Sequence, residues 1–280
     1  MPRKPTIALV GAGRVAQALA PALRRAGYRI AAVVSRDRPA SLRRARALAR
    51  RVGSRAVAGD APIPGDILWL CVSDDAIAST SQRLASRWEG KWALHSSGAL
   101  TSDALAPLRE RGAALASVHP MMTFVADAIP DLSGIVFAVE GDPSAVREAR
   151  RIVGEIDGRV FTLQKRKKVL YHIMGTFSSP MVVATVVLAE RMARAAGIPR
   201  KTVAHALWPI LRQTWANWVL RGARGAFSGP LARGDVDTVR KHLRTLKAFP
   251  DARAAYLALA RAALRHLPAR NRRELAKLLR

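Results

Sequence analysis

Residues 6–37 read TIALVGAGRVAQALAPALRRAGYRIAAVVSRD, and this pattern predicts a strand, a glycine turn, a helix and a second strand. The apolar run 7–10 is typical of a parallel strand that is buried on both faces. Gly11, Gly13 and Ala16 then follow the spacing G-x-G-x-x-A. This spacing permits a tight turn, a close approach of backbone to a pyrophosphate and close helix packing. The residues expected to bind a dinucleotide here are Gly11, Ala12, Gly13, Arg14 and Val15.

The end of the second strand distinguishes between the two nicotinamide cofactors. NAD sites usually carry an acidic residue about 20 positions after the glycines, where it binds the ribose hydroxyls. This chain has Ser35 and Arg36 instead, a hydroxyl and a guanidinium that suit a 2′-phosphate. Asp37 comes late for the NAD role. The sequence therefore predicts NADP, with NAD as the alternative, and it assigns the phosphate to Ser35 and Arg36.

The alternation of strands and helices continues to about residue 163, since DILWLCV, KWALH, AALASVH, GIVFAVE and RVFTL each predict a further strand. This repetition indicates an α/β fold with a doubly wound parallel sheet, in which ligands bind beyond the carboxyl ends of the strands. The residues expected at those ends are Val72, Ser73, Ser96, Ser97, Gly98, His119 and Pro120. Val72, Ser73 and Ser96 are expected to bind the cofactor.

The composition favours a small anionic ligand over a nucleic acid. The chain has 47 Lys and Arg against 20 Asp and Glu, and this net charge of +27 attracts anions. Its basic runs, at 43–51, 165–168 and 270–273, are separate, and aromatic residues do not interleave with them as stacking platforms. The single cysteine, Cys71, excludes an internal disulfide and is typical of a reducing cytoplasm. With no signal-peptide pattern at the start, we expect a cytoplasmic protein.

The second half of the chain is predicted to be helical, which gives an NADP-binding domain at 1–163 and an all-α domain at 164–280. The apolar stretch 173–189 is interrupted by polar residues and a proline, so we interpret it as a buried helix rather than a membrane span. Because this helix is apolar nearly all round, it must be covered by several neighbours or by a partner subunit. A homodimer formed through the helical domain is therefore expected.

Seven short segments of the chain match the sequence pattern of a known family. They are residues 11–13, 35–36, 74–77, 95–99, 119–124, 171–172 and 228–235. The chain resembles the Rossmann-like and DUF2520 domain-containing proteins, in the superfamily whose C-terminal domain is similar to that of 6-phosphogluconate dehydrogenase. The resemblance implies that pyrroline-5-carboxylate reductases and similar NADP-dependent oxidoreductases are its enzymatic relatives. The family pattern has an asparagine where this chain has Pro180. The proline removes a polar group from the expected cleft and predicts a kink.

Three residues are candidates for catalysis. His172 could give a proton to a carbonyl or imine as hydride arrives, or it could form a hydrogen bond across the domain interface. His119 could touch the nicotinamide or substrate, or it could fix its loop. Ser97 could hold a substrate carboxylate, but no G-x-S-x-G elbow marks it as a nucleophile. Lys168 is an alternative proton donor, although its basic run favours a solvated position.

Two functional hypotheses follow. The first is an NADP-dependent oxidoreductase that reduces a small anionic carbonyl or imine compound. The second is a nucleotide-binding sensor or scaffold that keeps the fold without turnover. The six histidines show no metal-ligand spacing with cysteine or carboxylate, so no metal is expected.

Overall fold

The computed structural model describes residues 3–58, 61–126 and 128–280. The chain forms two compact units, Met1–Ser179 and Pro180–Arg280. The first unit therefore includes a helix that follows residue 163. The boundary between 163 and 164 stays a prediction, because the compact units and the functional domains need not end at the same residue.

The first unit contains a single eight-stranded sheet in the order β3-β2-β1-β4-β5-β6-β7-β8. The strands are β1 (Ile7–Val10), β2 (Ile30–Val34), β3 (Ala56–Val57), β4 (Ile67–Leu70), β5 (Trp92–His95), β6 (Ala114–Pro120), β7 (Val136–Gly141) and β8 (Arg159–Thr162). Strands β1 to β6 are parallel to one another, β7 is antiparallel to β6, and β8 is parallel to β7. The predicted α/β fold with a parallel-dominated sheet is confirmed. The expectation of a parallel sheet is wrong for β7 and β8, which run opposite to the other strands, because a strand's composition does not encode its direction.

Helices cover both faces of this sheet. They are α1 (Arg14–Arg25), α2 (Pro39–Arg51), α3 (Asp74–Leu84), α4 (Ala106–Arg109), α5 (Pro143–Glu155) and α6 (Lys168–Ser178). Strands β1 and β4 are buried along their whole length. The core divides into two clusters, one holding the apolar side of α1 and α5 and the other holding that of α3. The sheet thus has both faces covered, as its continuous apolar strands require.

The second unit is helical, as predicted. Its helices are α7 (Pro180–Ala195), α8 (Arg200–Ala226), α9 (Gly229–Arg233), α10 (Val236–Thr245), α11 (Pro250–His266) and α12 (Arg272–Leu278). Its core is formed by α10, α11 and α12, where Val239, Leu264 and Leu275 are buried.

The apolar stretch 173–189 does not form one buried helix. The chain leaves the helical conformation at Ser179, where φ is −133° and ψ is −82°, and α7 begins at Pro180. A proline lacks the N–H that would continue α6, and its ring is compatible with a helix start. No residue of α7 is buried in the chain, so the expectation of burial by neighbouring elements is wrong.

The same region bears on the question of a membrane span. Among the described residues, one helical stretch, Lys165–Ala195, is long and apolar enough to cross a membrane, with a mean hydropathy of 1.5 over its most apolar window. Length and composition alone are weak evidence for a span, and here the stretch is divided at Ser179.

Candidate active site

The glycine turn after β1 is held between the ends of β2 and β4. Gly11 has φ of +95°, and its N–H donates to the carbonyl of Val34 at 2.8 Å. A Cβ atom at this position would lie 2.7 Å from the carbonyl oxygen of Cys71 and 3.1 Å from Cγ1 of Val72. Both the backbone conformation and the space therefore require glycine at position 11.

The helix after this turn begins without a capping side chain. Gly13 is the N-cap of α1, and the first turn of the helix contains no acidic residue. The first N–H groups of a helix have no partners within the helix, so this end offers donors and a positive dipole to an anion. Ala12 and Val15 pack against the core, and the exposed Arg14 donates from Nη1 to the carbonyl of Phe124 at 3.2 Å.

The other residues predicted to bind a cofactor lie around the same turn. Ser35 and Arg36 follow β2, where the Ser35 hydroxyl donates to the Arg36 carbonyl at 3.3 Å and the Arg36 side chain is exposed. Val72 lies against Gly11, and the exposed Ser73 is the N-cap of α3. The structure thus brings these residues together at the carboxyl ends of β1, β2 and β4. Their role in binding stays a prediction.

The loop after β5 is shaped by its own polar side chains. His95 is fully buried, and its Nδ1 accepts the N–H of Ser97 at 3.1 Å while its Nε2 faces the carbonyl of Thr101 at 3.0 Å. The ring is therefore the neutral tautomer that donates from Nε2 to Thr101. Burial lowers the pKa of His95 to about 4, although the bond to Thr101 opposes this shift. His95 therefore supports the loop and does not face a ligand.

Two serines of this loop have protein partners as well. Ser96 Oγ accepts from Nε1 of Trp69 at 3.0 Å. Ser97 is buried, and its Oγ accepts the N–H groups of Ala99 at 3.1 Å and Leu100 at 2.9 Å. The hydroxyl oxygen of Ser97 thus caps the turn that follows. Its effect on a ligand is therefore expected to come through the position of Gly98.

Two histidines meet at Gly98. A Cβ atom on this glycine would lie 2.9 Å from Nε2 of His119 and 2.9 Å from Cδ2 of His172. His119 is the second-last residue of β6, and its Nδ1 lies 2.7 Å from the hydroxyl of Tyr171. The rings of His119 and Tyr171 pack edge to face at 5.5 Å. His172 is exposed on α6. Two of the three predicted catalytic residues are therefore brought together, at the carboxyl end of the parallel strands.

The protonation of His119 follows from its surroundings. Burial, together with the positive charges of Lys168 and His172, lowers the pKa of His119 to about 4. Burial also raises the pKa of Tyr171 to about 12. Both members of this pair are thus neutral near pH 7. His119 is therefore suited to donate or accept a hydrogen bond, and the role of the exposed His172 as proton donor stays a prediction.

A buried ion pair lies behind these histidines. The side chain of Lys168 is 1% exposed and that of Glu140 is 2% exposed, with Nζ 3.7 Å from Oε1. Lys168 also donates to the hydroxyl of Ser117, which in turn donates to the carbonyl of Ser97 at 3.2 Å. Glu140 accepts the N–H of Ser102 at 2.8 Å and its hydroxyl at 3.0 Å. The network joins the start of α6 to the loop that carries Gly98.

The expectation that Lys168 lies on a solvated face is wrong. Lys165, Arg166 and Lys167 are exposed, but the helical turn that begins α6 directs Lys168 inward. Burial lowers the pKa of Lys168 to about 8, against the opposing effect of Glu140. The sequence did carry a signal for this network, because Ser117 and Glu140 interrupt two otherwise apolar strands. Buried polar groups require partners.

A search for clustered metal ligands gives no candidate. Within residues 3–58, 61–126 and 128–280, no three or more His, Cys, Asp or Glu side chains lie close enough to hold a metal ion.

The strand order, the glycine turn and the uncapped helix define a dinucleotide-binding fold of the Rossmann class. Residues 2–120 match the family model of a Rossmann-like domain, and residues 135–263 match that of DUF2520, a domain of unknown function. The chain thus carries a match to each of these two domain models, one after the other. No curated protein matches it.

Solved structures share the fold over nearly the whole chain. A Bacteroides fragilis protein provisionally described as an NADP oxidoreductase has a TM-score of 0.75 at 23% identity, over 92% of this chain and 97% of its own. A Thermotoga maritima protein has a TM-score of 0.73 at 23% identity, over 97% and 98%. A reductive aminase of Aspergillus terreus in complex with NADPH and ethyl levulinate has a TM-score of 0.63 at 17% identity, over 99% and 100%. At these identities the likeness shows the fold.

Proposed function

We propose that the protein is an NADP-dependent oxidoreductase that reduces a small anionic carbonyl or imine compound. One observation carries this proposal: the glycine turn after β1 and the histidine pair at Gly98 lie at the same edge of one sheet. Strands β1, β4, β5 and β6 are neighbours, so three strand spacings, about 14 Å, separate the two groups. An extended dinucleotide bound at the turn would reach towards the histidines.

The preference for NADP is supported by the charges beyond β2. Arg36 is exposed there beside the hydroxyl of Ser35, and a guanidinium can bind a phosphate through two hydrogen bonds. The Aspergillus terreus reductive aminase, which shares the fold, holds NADPH. Bound NADPH would supply hydride to the substrate carbon.

The protein's own residues would supply the proton and the orientation. His172 is exposed beside Gly98, so its imidazolium can protonate the alkoxide that hydride addition to a carbonyl leaves, or the nitrogen of a neutral imine as hydride adds to its carbon. His119 is neutral and can position the reacting group by a hydrogen bond. The net charge of +27 on the chain favours an anionic compound.

Cofactor titration with a charge-reversed variant tests the proposal. We expect the wild type to bind NADPH more tightly than NADH. Arg36→Glu should lose about 1–3 kcal/mol of NADPH affinity, or about 5- to 150-fold, because a charge-assisted contact is lost. Arg147→Glu, at an exposed position on α5, is the matched control and should bind as the wild type does. Equal affinities of the wild type for the two cofactors would contradict the assignment.

A sensor or scaffold without turnover is the second candidate. It is favoured by one observation: the polar side chains of His95, Ser96 and Ser97 are engaged with the protein itself. His172→Gln separates the two functions. In a reductase it should lower turnover strongly and leave NADPH affinity nearly unchanged, whereas a sensor would show binding without turnover in either form.

We further propose that the protein is a homodimer formed through its second unit. Within that unit no residue of α7 is buried, and α8 exposes Trp208, Trp218 and Leu220 by 62%, 51% and 79%. Exposed apolar surface of this extent is typical of an interface. Sedimentation over a range of concentrations should give a dimer, which Leu220→Arg should weaken. A wild-type monomer at all concentrations would overturn this proposal.

A further inference from the structure

The hydroxyl of Tyr171 has one hydrogen-bond partner among the described residues, Nδ1 of His119 at 2.7 Å. Tyr171 is buried, so its O–H hydrogen must be donated within the protein or left unsatisfied at a cost of about 1–3 kcal/mol. The arrangement that satisfies it has the phenol donating to Nδ1. A neutral imidazole carries a single N–H, so the hydrogen of His119 is then on Nε2.

The Nε2 atom of His119 is the one that faces Gly98. It lies 2.9 Å from the position that a Cβ atom would occupy there, beside Cδ2 of His172. Glycine leaves this space open. The N–H of His119 is therefore directed to the same place as the exposed edge of His172.

The chemistry of the donor determines which reacting group suits it. The N–H of His119 needs a hydrogen-bond acceptor in the space beside Gly98. The carboxylate of Glu140 is buried, pairs with Lys168 and accepts two hydrogen bonds from Ser102, so it is held away from this space. A neutral N–H donor stabilises a developing oxyanion, whereas an iminium nitrogen has no lone pair to accept its hydrogen bond.

We propose that Tyr171 is a positioning residue that fixes His119 as the Nε2–H donor, and that the site thereby selects ketones and aldehydes over iminium ions. This inference rests on the proposed reductase function. Hydride from NADPH forms the new C–H bond, and the electron pair of the C=O π bond moves onto oxygen. That oxygen accepts the hydrogen bond of His119 and takes its proton from the imidazolium of His172. The products are an alcohol and NADP⁺.

The positioning claim has a test that does not depend on turnover. Nitrogen-15 NMR of the imidazoles should show His119 protonated on Nε2 in the wild type, and Tyr171→Phe should produce a mixture of the two neutral tautomers. Tyr256→Phe is the matched control, because the hydroxyl of Tyr256 lies 3.2 Å from Nδ1 of His242 in a similar edge-to-face pair. It should leave the signals of His119 unchanged. A wild-type His119 protonated on Nδ1, or one that Tyr171→Phe does not alter, would overturn the claim.

The substrate claim is tested with pyruvate and N-methyl-3,4-dihydroisoquinolinium, a permanent iminium cation. We expect NADPH-dependent reduction of pyruvate, lowered by about 10-fold or more in kcat by Tyr171→Phe and unchanged by Tyr256→Phe. Faster reduction of the iminium than of pyruvate would overturn the selection of carbonyls. Reduction of neither probe would overturn the proposed substrate class, while the NMR result would still decide the role of Tyr171.

Discussion

Removing the buried cation at position 168 should destabilise the first unit strongly. Lys168→Met would leave Glu140, whose side chain is 2% exposed, with only the hydrogen bonds from Ser102. Breaking a buried pair by removing one partner typically costs about 3–5 kcal/mol, because an uncompensated charge stays buried. This is a large part of the 5–15 kcal/mol by which proteins of this kind are usually stable.

The double variant separates the cost of an unpaired charge from the contribution of the pair. Glu140→Gln combined with Lys168→Met leaves no buried charge, and the glutamine oxygen can still accept the N–H of Ser102. We expect the double variant to lie within about 2 kcal/mol of the wild type. Hydrogen exchange of peptides from β6 and β7, followed by mass spectrometry, reports on this unit alone. A Lys168→Met variant within about 1 kcal/mol of the wild type, or a double variant no more stable than the single one, would refute this reasoning.

The pH dependence of stability provides a further check on the same residue. The pKa of Lys168 is about 8 in the folded chain, below its ordinary value of 10.5. Between these values the unfolded chain binds the proton and the folded chain does not, so Lys168 adds stability as pH rises from about 8 to 10.5. The gain approaches about 3 kcal/mol. The difference in urea unfolding between the wild type and the double variant should follow this rise, and a flat difference would argue against a buried lysine.

Two further substitutions or modifications have defined outcomes. Gly98→Ala should abolish turnover and retain NADPH affinity, because its Cβ atom would lie 2.9 Å from both His119 and His172. Unchanged turnover would show that the two histidines do not act at this position. Cys71 should resist a thiol reagent at pH 8 until the chain unfolds, because it is 8% exposed and burial raises its pKa to about 12. Rapid labelling of the native protein would contradict the burial of this thiol.

The first half of the fold could be predicted because its strands are continuous apolar runs separated by turn residues. The glycine turn was recognisable because Gly11 needs both a positive φ and the space beside Cys71. The direction of β7 could not be predicted, because a buried strand has the same composition whether it is parallel or antiparallel. Pro180 predicted a break in the helix, which the structure has at Ser179. The exposure of α7 could not be predicted, because it depends on tertiary packing.

The candidate site was predicted less completely than the fold. His119 and His172 were recognised from their places after a strand and on a helix, and the structure brings them together at Gly98. Lys168 was predicted to be solvated because it follows three basic residues that are exposed. Only its position on the inward side of α6 distinguishes it from them. Lys168 and Glu140 lie far apart in the chain and pair only in the folded structure. Local sequence patterns do not encode such contacts.

The most direct test of a reductase is the loss of NADPH absorbance in the presence of a panel of small keto acids and cyclic imines. The wild type should oxidise NADPH only when a substrate is present, and His172→Gln should greatly slow this oxidation while binding NADPH as before. NADPH that binds to the wild type and is oxidised by no compound of the panel would contradict the reductase function and favour a nucleotide-binding sensor.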